Sequence, residues 1–262
     1  YGEHQAYAFL GVALITFLIG TMLTIKHPGT RQLFTKDGAI TVALGWIVLS
    51  IFGALPLTFG GDIPFYVDAL FETISGFTTT GASILNDVEA LSHASLMWRS
   101  FTHWVGGMGV LVFIMAVLPL AGGGGDIHLM RAESPGPTVE KLVPRSSKSA
   151  RILYGIYIGF TVTEFILLLL GGMSVFEALT ITFGTVGTGG FGIVNSSIAG
   201  YSLYCQIVIM IFMILCGINF NIYFLLMLRR FKDAFKSSEL KVYFAIMFSA
   251  IAVITINVRD YF

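Results

Sequence analysis

The chain has 262 residues, of which 55% are hydrophobic and 11% are charged, and its mean hydropathy is +0.83. Soluble domains carry roughly 25% charged residues, so this composition excludes an ordinary soluble domain and indicates a protein embedded in lipid. The formal net charge is zero, which gives no reason to expect a nucleic acid or another highly charged partner.

Six apolar runs are long enough to cross ~30 Å of hydrocarbon. They cover residues 6–25, 40–59, 96–121, 151–171, 203–228 and 242–258. All Lys and Arg residues other than Arg99 and Arg259 lie in three of the connections, at 26–38, 122–151 and 229–241. Because positively charged loops stay on the cytoplasmic side, the sequence predicts an all-α, multi-pass membrane protein with these connections inside the cell.

The two remaining regions, 60–95 and 172–202, are then predicted to lie outside. Each begins with an apolar stretch of ~12–14 residues, a length that indicates a re-entrant or interfacial helix because it is too short to cross the bilayer. These stretches are "PFYVDALFETISGF" at 64–77 and "MSVFEALTITFGT" at 173–185. The first outer region has no Lys or Arg and contains Asp62, Asp68, Glu72, Asp87 and Glu89. Such an acidic outer surface is expected to attract cations.

A Thr/Gly-rich stretch follows each short helix, and the two copies align without gaps at an offset of 109 residues. The segment "DALFETISGFTTTGAS" at 68–83 aligns with "EALTITFGTVGTGGFG" at 177–192. The flanking runs obey the same offset, since 40–59 pairs with 151–171 and 96–121 with 203–228. The sequence therefore predicts two parallel units of span, pore helix, filter strand and span, and 242–258 looks like the start of a third.

The Thr/Gly stretches suit the binding of a dehydrated monovalent cation by main-chain oxygens. Potassium-channel filters replace the water around the ion with backbone carbonyls. Glycine adopts the required backbone angles without steric cost, and threonine adds a hydroxyl oxygen on a stiff side chain. Each preceding helix would also direct its negative C-terminal end toward the ion. The predicted K⁺-binding residues are Thr79, Thr80, Gly81, Thr188, Gly189 and Gly190.

Other interpretations remain open. Either stretch alone could be a turn or a helix-packing contact. An intramembrane hydrolase would need a Ser–His pair, which Ser75 or Ser83 and His103 could supply, although the sequence has no G-x-S-x-G motif. A non-conducting scaffold subunit is a third class. An enzyme is not expected, and no catalytic residue is predicted.

Several polar or small residues interrupt the apolar runs. Glu164 could be a coupling or pore-facing carboxylate, or it could make a structural hydrogen bond to a neighbouring helix. Asn219 and Asn221 could line an inner cavity or bridge helices. His103 with Trp104 indicates an interfacial belt, and "GGMG" at 106–109 is typical of close helix packing.

The aligned stretches, together with "HWVGGMGVLVFIMAVLP" and "RAESPGPTVEKLVPR", resemble the Trk/Ktr/HKT superfamily of potassium transporters, most closely its bacterial Trk potassium-uptake branch. The resemblance implies potassium uptake across the cell inner membrane, with symport as one mode. It also implies four span–pore–span units around one pore, with Gly81 and Gly190 as filter glycines. A homodimer and a cytoplasmic nucleotide-binding regulatory subunit are the implied partners. The residues themselves do not decide whether the pore selects potassium or sodium, or whether the flux is passive or coupled.

This interpretation divides the chain into five parts. They are an accessory transmembrane helix with a cytoplasmic loop (1–38), a first pore unit (39–122), a cytoplasmic linker (123–147), a second pore unit (148–231) and the first helix of a third, truncated unit (232–262).

Because two strands cannot encircle an ion, either the parent protein is longer or two chains contribute two strands each. We expect a longer parent, since the run at 242–258 has no use in a protein of two units. Its sequence beyond Phe262 should contain two further short apolar helices, each followed by a Thr/Gly strand. Reading the coding sequence downstream of Phe262 checks this, and a stop codon soon after Phe262 would contradict it.

Overall fold

The computed structural model describes residues 2–25, 35–109 and 146–258. Within these ranges the chain is helical and has no β-strand, which confirms the all-α class. The helices are α1 (Gln5–Thr24), α2 (Thr35–Phe59), α3 (Tyr66–Phe77), α4 (His93–Met108), α5 (Ser146–Leu170), α6 (Val175–Val186), α7 (Leu203–Cys216), α8 (Phe220–Met227), α9 (Phe231–Lys236) and α10 (Ser238–Val258). Most of the predicted linker 123–147 and the end of the third predicted span, 110–121, lie outside the described residues.

Four of the described helices, α1, α2, α5 and α10, are long and apolar enough to cross a membrane. Val12 is the only buried residue of α1, and α10 has none. Large apolar side chains such as Leu14, Phe17, Ile246 and Phe248 are exposed on these two helices. Such surfaces are stable next to lipid tails, because apolar side chains gain nothing by facing water.

The run predicted to span at 203–228 is not one straight helix, because the structure breaks it into α7 and α8 with a bend of 85°. Gly217 caps the end of α7, and glycine is a poor residue for a helix interior. The side chain of Asn219 then accepts a hydrogen bond from the amide of Asn221 at 3.0 Å and starts α8. The side-chain amide of Asn219 also donates to the Glu239 carboxylate at 3.1 Å. Asn219 therefore caps α8 and links it to α10.

The two short helices α3 and α6 lie where the sequence predicts them, and each has 12 residues. At 1.5 Å per residue each is ~18 Å long, well below the thickness of the hydrocarbon layer. A capping box starts α6: the Ser174 hydroxyl accepts from the Glu177 amide, and the Glu177 carboxylate accepts from the Ser174 amide. Asp68 lies in the first turn of α3, where a negative charge is favourable.

Helix α4 lies between the two short helices. Helix α3 packs against α2 and α4, while α6 packs against α4, α5 and α7. The contact between α3 and α4 is tight at Gly76, where an added Cβ would lie 2.0 Å from the Thr102 hydroxyl oxygen. Because both short helices rest on α4, the segments that follow them are brought to the same place.

Replacing Gly76 with alanine should lower the free energy of unfolding by about 1–3 kcal/mol, because the added methyl group overpacks the buried α3–α4 contact. Gly159→Ala on α5 is the matched control, since an added Cβ there meets nothing within 4 Å. It should be neutral or stabilising by up to about 1 kcal/mol. Thermal unfolding of the detergent-solubilised protein measures both; equal effects would contradict the packing account.

Candidate ion-binding site

The chain leaves α3 and α6 through the same type of turn. After α3, the Thr80 amide donates to the Ser75 carbonyl at 2.9 Å. After α6, the Gly189 amide donates to the Gly184 carbonyl at 3.0 Å. These 6→1 hydrogen bonds are the Schellman arrangement, in which the residue before the donor is left-handed.

That left-handed residue is a threonine in both turns. Thr79 has φ 52° and Thr188 has φ 57°. A β-branched side chain is strained in this region, at a cost of order 1–3 kcal/mol that the surrounding structure must offset. Two residues further on, Gly81 has φ 74° and Gly190 has φ 79°. Left-handed backbone angles therefore recur at alternate residues in both segments.

The two segments meet directly. A Cβ added to Gly81 would lie 2.0 Å from the carbonyl oxygen of Gly189. Gly81 is therefore needed for its backbone angle and for this close approach. At Gly190 an added Cβ would find only Met213, at 3.7 Å, so that glycine is required by its φ alone.

None of the predicted ion-binding residues is buried, whereas the helix ends that precede them are. Thr79, Gly81 and Gly189 are half-buried, and Thr80, Thr188 and Gly190 are exposed. The Thr78 hydroxyl donates to the Ile74 carbonyl at 2.7 Å and lies 2.7 Å from the Thr80 hydroxyl. The Thr80 hydroxyl therefore makes a contact within its own turn.

The end of α4 supports both segments through small residues. A Cβ on Gly106 would lie 2.3 Å from the Phe77 carbonyl, and one on Gly107 would lie 2.8 Å from the Gly187 Cα. The backbone of α4 therefore touches the start of the first segment and the start of the second. This confirms that "GGMG" is a close-packing sequence, which small residues permit in membranes.

His103 fills the space behind the second segment. Its ring stacks on Phe191 with centroids 4.0 Å apart, and a Cβ on Gly189 would lie 2.3–2.4 Å from the ring atoms. The side chain is fully buried. The predicted interfacial role of His103 is therefore wrong, because the absence of side chains on the Gly-rich segment opens room for an imidazole that the sequence pattern cannot reveal.

Glu72 is also placed differently from the prediction, since it does not contribute to an acidic outer surface. It is buried and pairs with Arg99 at 2.6 Å. The sequence carried one signal for this pair: Arg99 is one of two basic residues outside the three basic connections. A lone Arg in an apolar run needs a buried partner.

Other outer acids do remain exposed, and they join the two outer regions. The Asn195 side-chain amide donates to Asp87 at 2.8 Å, and its backbone amide donates to Glu89 at 2.9 Å. Hydrogen bonds from the Asn195 side chain and the Glu89 amide hold the pKa of Asp87 below its usual value. Asp87 therefore stays ionised at neutral pH, which keeps a negative charge on the outer surface.

Glu164 lies within α5 and is fully buried. Neither carboxyl oxygen meets strict hydrogen-bond geometry with a described residue, but the Thr185 hydroxyl of the neighbouring helix α6 interacts with this carboxyl group, so both interpretations of Glu164 stay predictions. The hydrolase alternative finds no support. Ser83 is bound to Glu72, and the Ser75 hydroxyl and both His103 ring nitrogens lack hydrogen-bond partners in the described part of the chain.

Known proteins resemble this chain over nearly its whole length. A potassium uptake protein TrkH of Escherichia coli is 35% identical over 261 residues, covering 98% of this chain and 54% of that protein. TrkH of Halomonas elongata is 37% identical over 221 residues, covering 83% and 46%. The crystal structure of the potassium transporter TrkH from Vibrio parahaemolyticus superimposes with a TM-score of 0.69 at 29% identity, covering 86% of this chain and 45% of that one.

The fold and these similarities define a multi-pass protein of the cell inner membrane, helical throughout the regular structure of its described residues. The relatives that it resembles are transporters. Residues 5–256 match the TrkH family of cation transport proteins, and the chain belongs to that family. The chain spans about half the length of the curated relatives it matches.

Replacing Gly189 with alanine should destabilise the protein by about 1–3 kcal/mol, because the methyl group overlaps the His103 ring. Adding His103→Ala should relieve much of this cost, giving a coupling energy of about 1 kcal/mol or more in a double-mutant cycle. Chemical unfolding in detergent measures each variant.

Gly190→Ala is the matched control for this cycle. Alanine at this position costs about 1–2 kcal/mol of backbone strain because φ is positive, but the added methyl group has room. It should show no coupling to His103→Ala. Equal coupling at both glycines would mean that the ring does not occupy the space behind Gly189.

Proposed function

We propose that this chain forms part of a potassium-conducting pore, in which main-chain oxygens of residues 79–81 and 188–190 bind the dehydrated ion. The observation that carries the proposal is the meeting of two equivalent segments, each with positive φ at alternate residues, at Gly81 and Gly189. Strained backbone is maintained where the surrounding structure and a function require it, and it clusters at ligand clamps.

The charge distribution fits a cation. Helices α3 and α6 end at Phe77 and Val186, immediately before the two segments. The C-terminal end of a helix carries roughly half a negative charge, so two such ends lower the electrostatic cost of bringing an ion to this place. The exposed Asp87 and Glu89 raise the local concentration of cations outside.

The proposed architecture has one pore unit at 39–122, a linker at 123–147, a second unit at 148–231 and the start of a third unit at 232–262, with residues 1–38 as an accessory element. Supporting it, the bounds of α3 and α6 differ by 109 residues at both ends. Two segments supply only part of a carbonyl ring like that of potassium channels, which is built from four loops. Sequence that the relatives have beyond the matched half would complete the ring.

We extend the proposal to partners and transport mode on the strength of the family. The protein acts as a homodimer whose cytoplasmic side binds a nucleotide-binding regulatory subunit, and it takes up potassium, with symport as one mode. Membrane lipid covers the exposed apolar faces of α1 and α10.

Gly81→Ser tests the pore directly in liposomes that contain the full-length protein. A side chain at φ 74° and against the Gly189 carbonyl must displace the first segment. The ratio of potassium to sodium flux should fall by roughly tenfold, which corresponds to about 1.4 kcal/mol of relative ion binding. Insertion, checked by membrane fractionation, should be unchanged.

Gly61→Ser is the matched control, because Gly61 has a similar φ of 83° but an added Cβ there meets nothing within 4 Å. It lies in the outer loop before α3 and should leave the flux ratio at the wild-type value. Unchanged selectivity in a well-inserted Gly81→Ser protein would count against the pore assignment, as would an equal loss in Gly61→Ser.

A further inference from the structure

One buried ion pair contacts the chain just after each of the two proposed ion-binding segments. Glu72 on α3 and Arg99 on α4 are 1% and 3% exposed, and Arg99 Nη2 lies 2.6 Å from Glu72 Oε1. The Arg99 Nε also donates to the same oxygen at 2.8 Å. A buried pair is tolerated only when further hydrogen bonds satisfy the charges, so the remaining contacts show what the pair is arranged to hold.

On one side the pair holds the chain that follows the first segment. The Ser83 hydroxyl donates to both carboxylate oxygens of Glu72, at 2.9 and 3.1 Å. The Ile84 amide donates to Glu72 Oε2 at 3.0 Å. These residues come two and three positions after Gly81, so the carboxylate fixes the outer end of that segment.

On the other side the pair holds the chain that follows the second segment. Arg99 Nη1 donates to the Gly192 carbonyl at 3.3 Å, and the guanidinium carbon lies 4.2 Å from the centre of the Phe191 ring. These residues directly follow Gly190. The planar guanidinium with its several donors can make all these contacts at once, whereas a lysine ammonium is a point charge.

The second unit has no such pair. At the offset of 109 residues Glu72 corresponds to Ile181 and Arg99 to Val208, and both of these belong to a buried apolar cluster. An apolar pair therefore fills the equivalent place in the same chain. Because well-packed apolar residues often replace a buried ion pair without loss of stability, stability alone gives no reason for the charges in the first unit.

We propose that Glu72 and Arg99 are positioning residues that fix the separation of the two ion-binding segments and thereby set potassium-over-sodium selectivity. The inference rests on the proposed pore function. Selectivity in carbonyl filters depends on the size of the cavity and on the number of oxygens that reach the ion. A link between the outer ends of two neighbouring segments controls both. Glu72 also neutralises the guanidinium, so the link adds no net positive charge beside the ion.

The test is the double substitution Glu72→Ile with Arg99→Val, which copies the pair of the second unit into the first. In full-length protein reconstituted in liposomes, it should insert and unfold near the wild-type temperature, while the potassium-to-sodium flux ratio falls by about fivefold or more. Arg99→Lys is the second variant. It keeps the charge opposite Glu72 but loses the contacts to Gly192 and Phe191, and it should give an intermediate loss.

A wild-type flux ratio in the folded double variant and in Arg99→Lys would overturn the inference and show that the pair only fills space. If the double variant does not fold, the flux ratio of Arg99→Lys decides alone. If Gly81→Ser lowers the flux ratio but neither variant of the ion pair does, the proposed pore is supported and the positioning role of Glu72 and Arg99 is contradicted. Absence of potassium flux through the wild-type protein would overturn the proposed function, and this inference with it.

Discussion

The organisation of this chain depends on one backbone constraint: each short helix must end in a turn that places a threonine in the left-handed region. The left-handed conformation costs energy at Thr79 and at Thr188, which the surrounding structure must offset in addition to the hydrogen bonds of each turn. The surrounding helices must therefore hold it in place. Helix α4 does so with its glycine-rich end, because a side chain at Gly106 or Gly107 would keep its backbone away from both turns. Close packing behind the two segments stabilises their left-handed backbone.

Much of the fold could be predicted from local sequence alone. The lengths of the apolar runs gave α1, α2, α5 and α10, and a run too short to span gave α3 and α6, since membrane thickness translates length directly into topology. The Thr/Gly composition also indicated where the backbone becomes irregular. These features depend on composition and chain length, which a single sequence displays without any knowledge of neighbours.

What the sequence did not disclose depends on contacts between distant residues. The bend at Gly217 could not be distinguished from a glycine tolerated inside a span, because the cap that ends α7 is formed only in context. Glu72 looked like an outer acid until its partner 27 residues away was placed against it. His103 looked interfacial until the glycines around it left a ring-sized space. In each case the role of a polar or small residue depends on contacts that the sequence pattern does not show.

The two units hold their Thr/Gly segments in place by different kinds of contact. The first segment is held by charge-assisted hydrogen bonds, because the Glu72 carboxylate accepts from Ser83 and Ile84. The second is held mainly by packing, since the His103 ring lies against Gly189 and Phe191. Hydrogen bonds to a charged carboxylate are directional and strong, whereas the packing of a ring against the backbone tolerates small shifts. A backbone repeat in this chain therefore does not imply the same packing around each copy, and the hydrogen bond from Arg99 to the Gly192 carbonyl links the two.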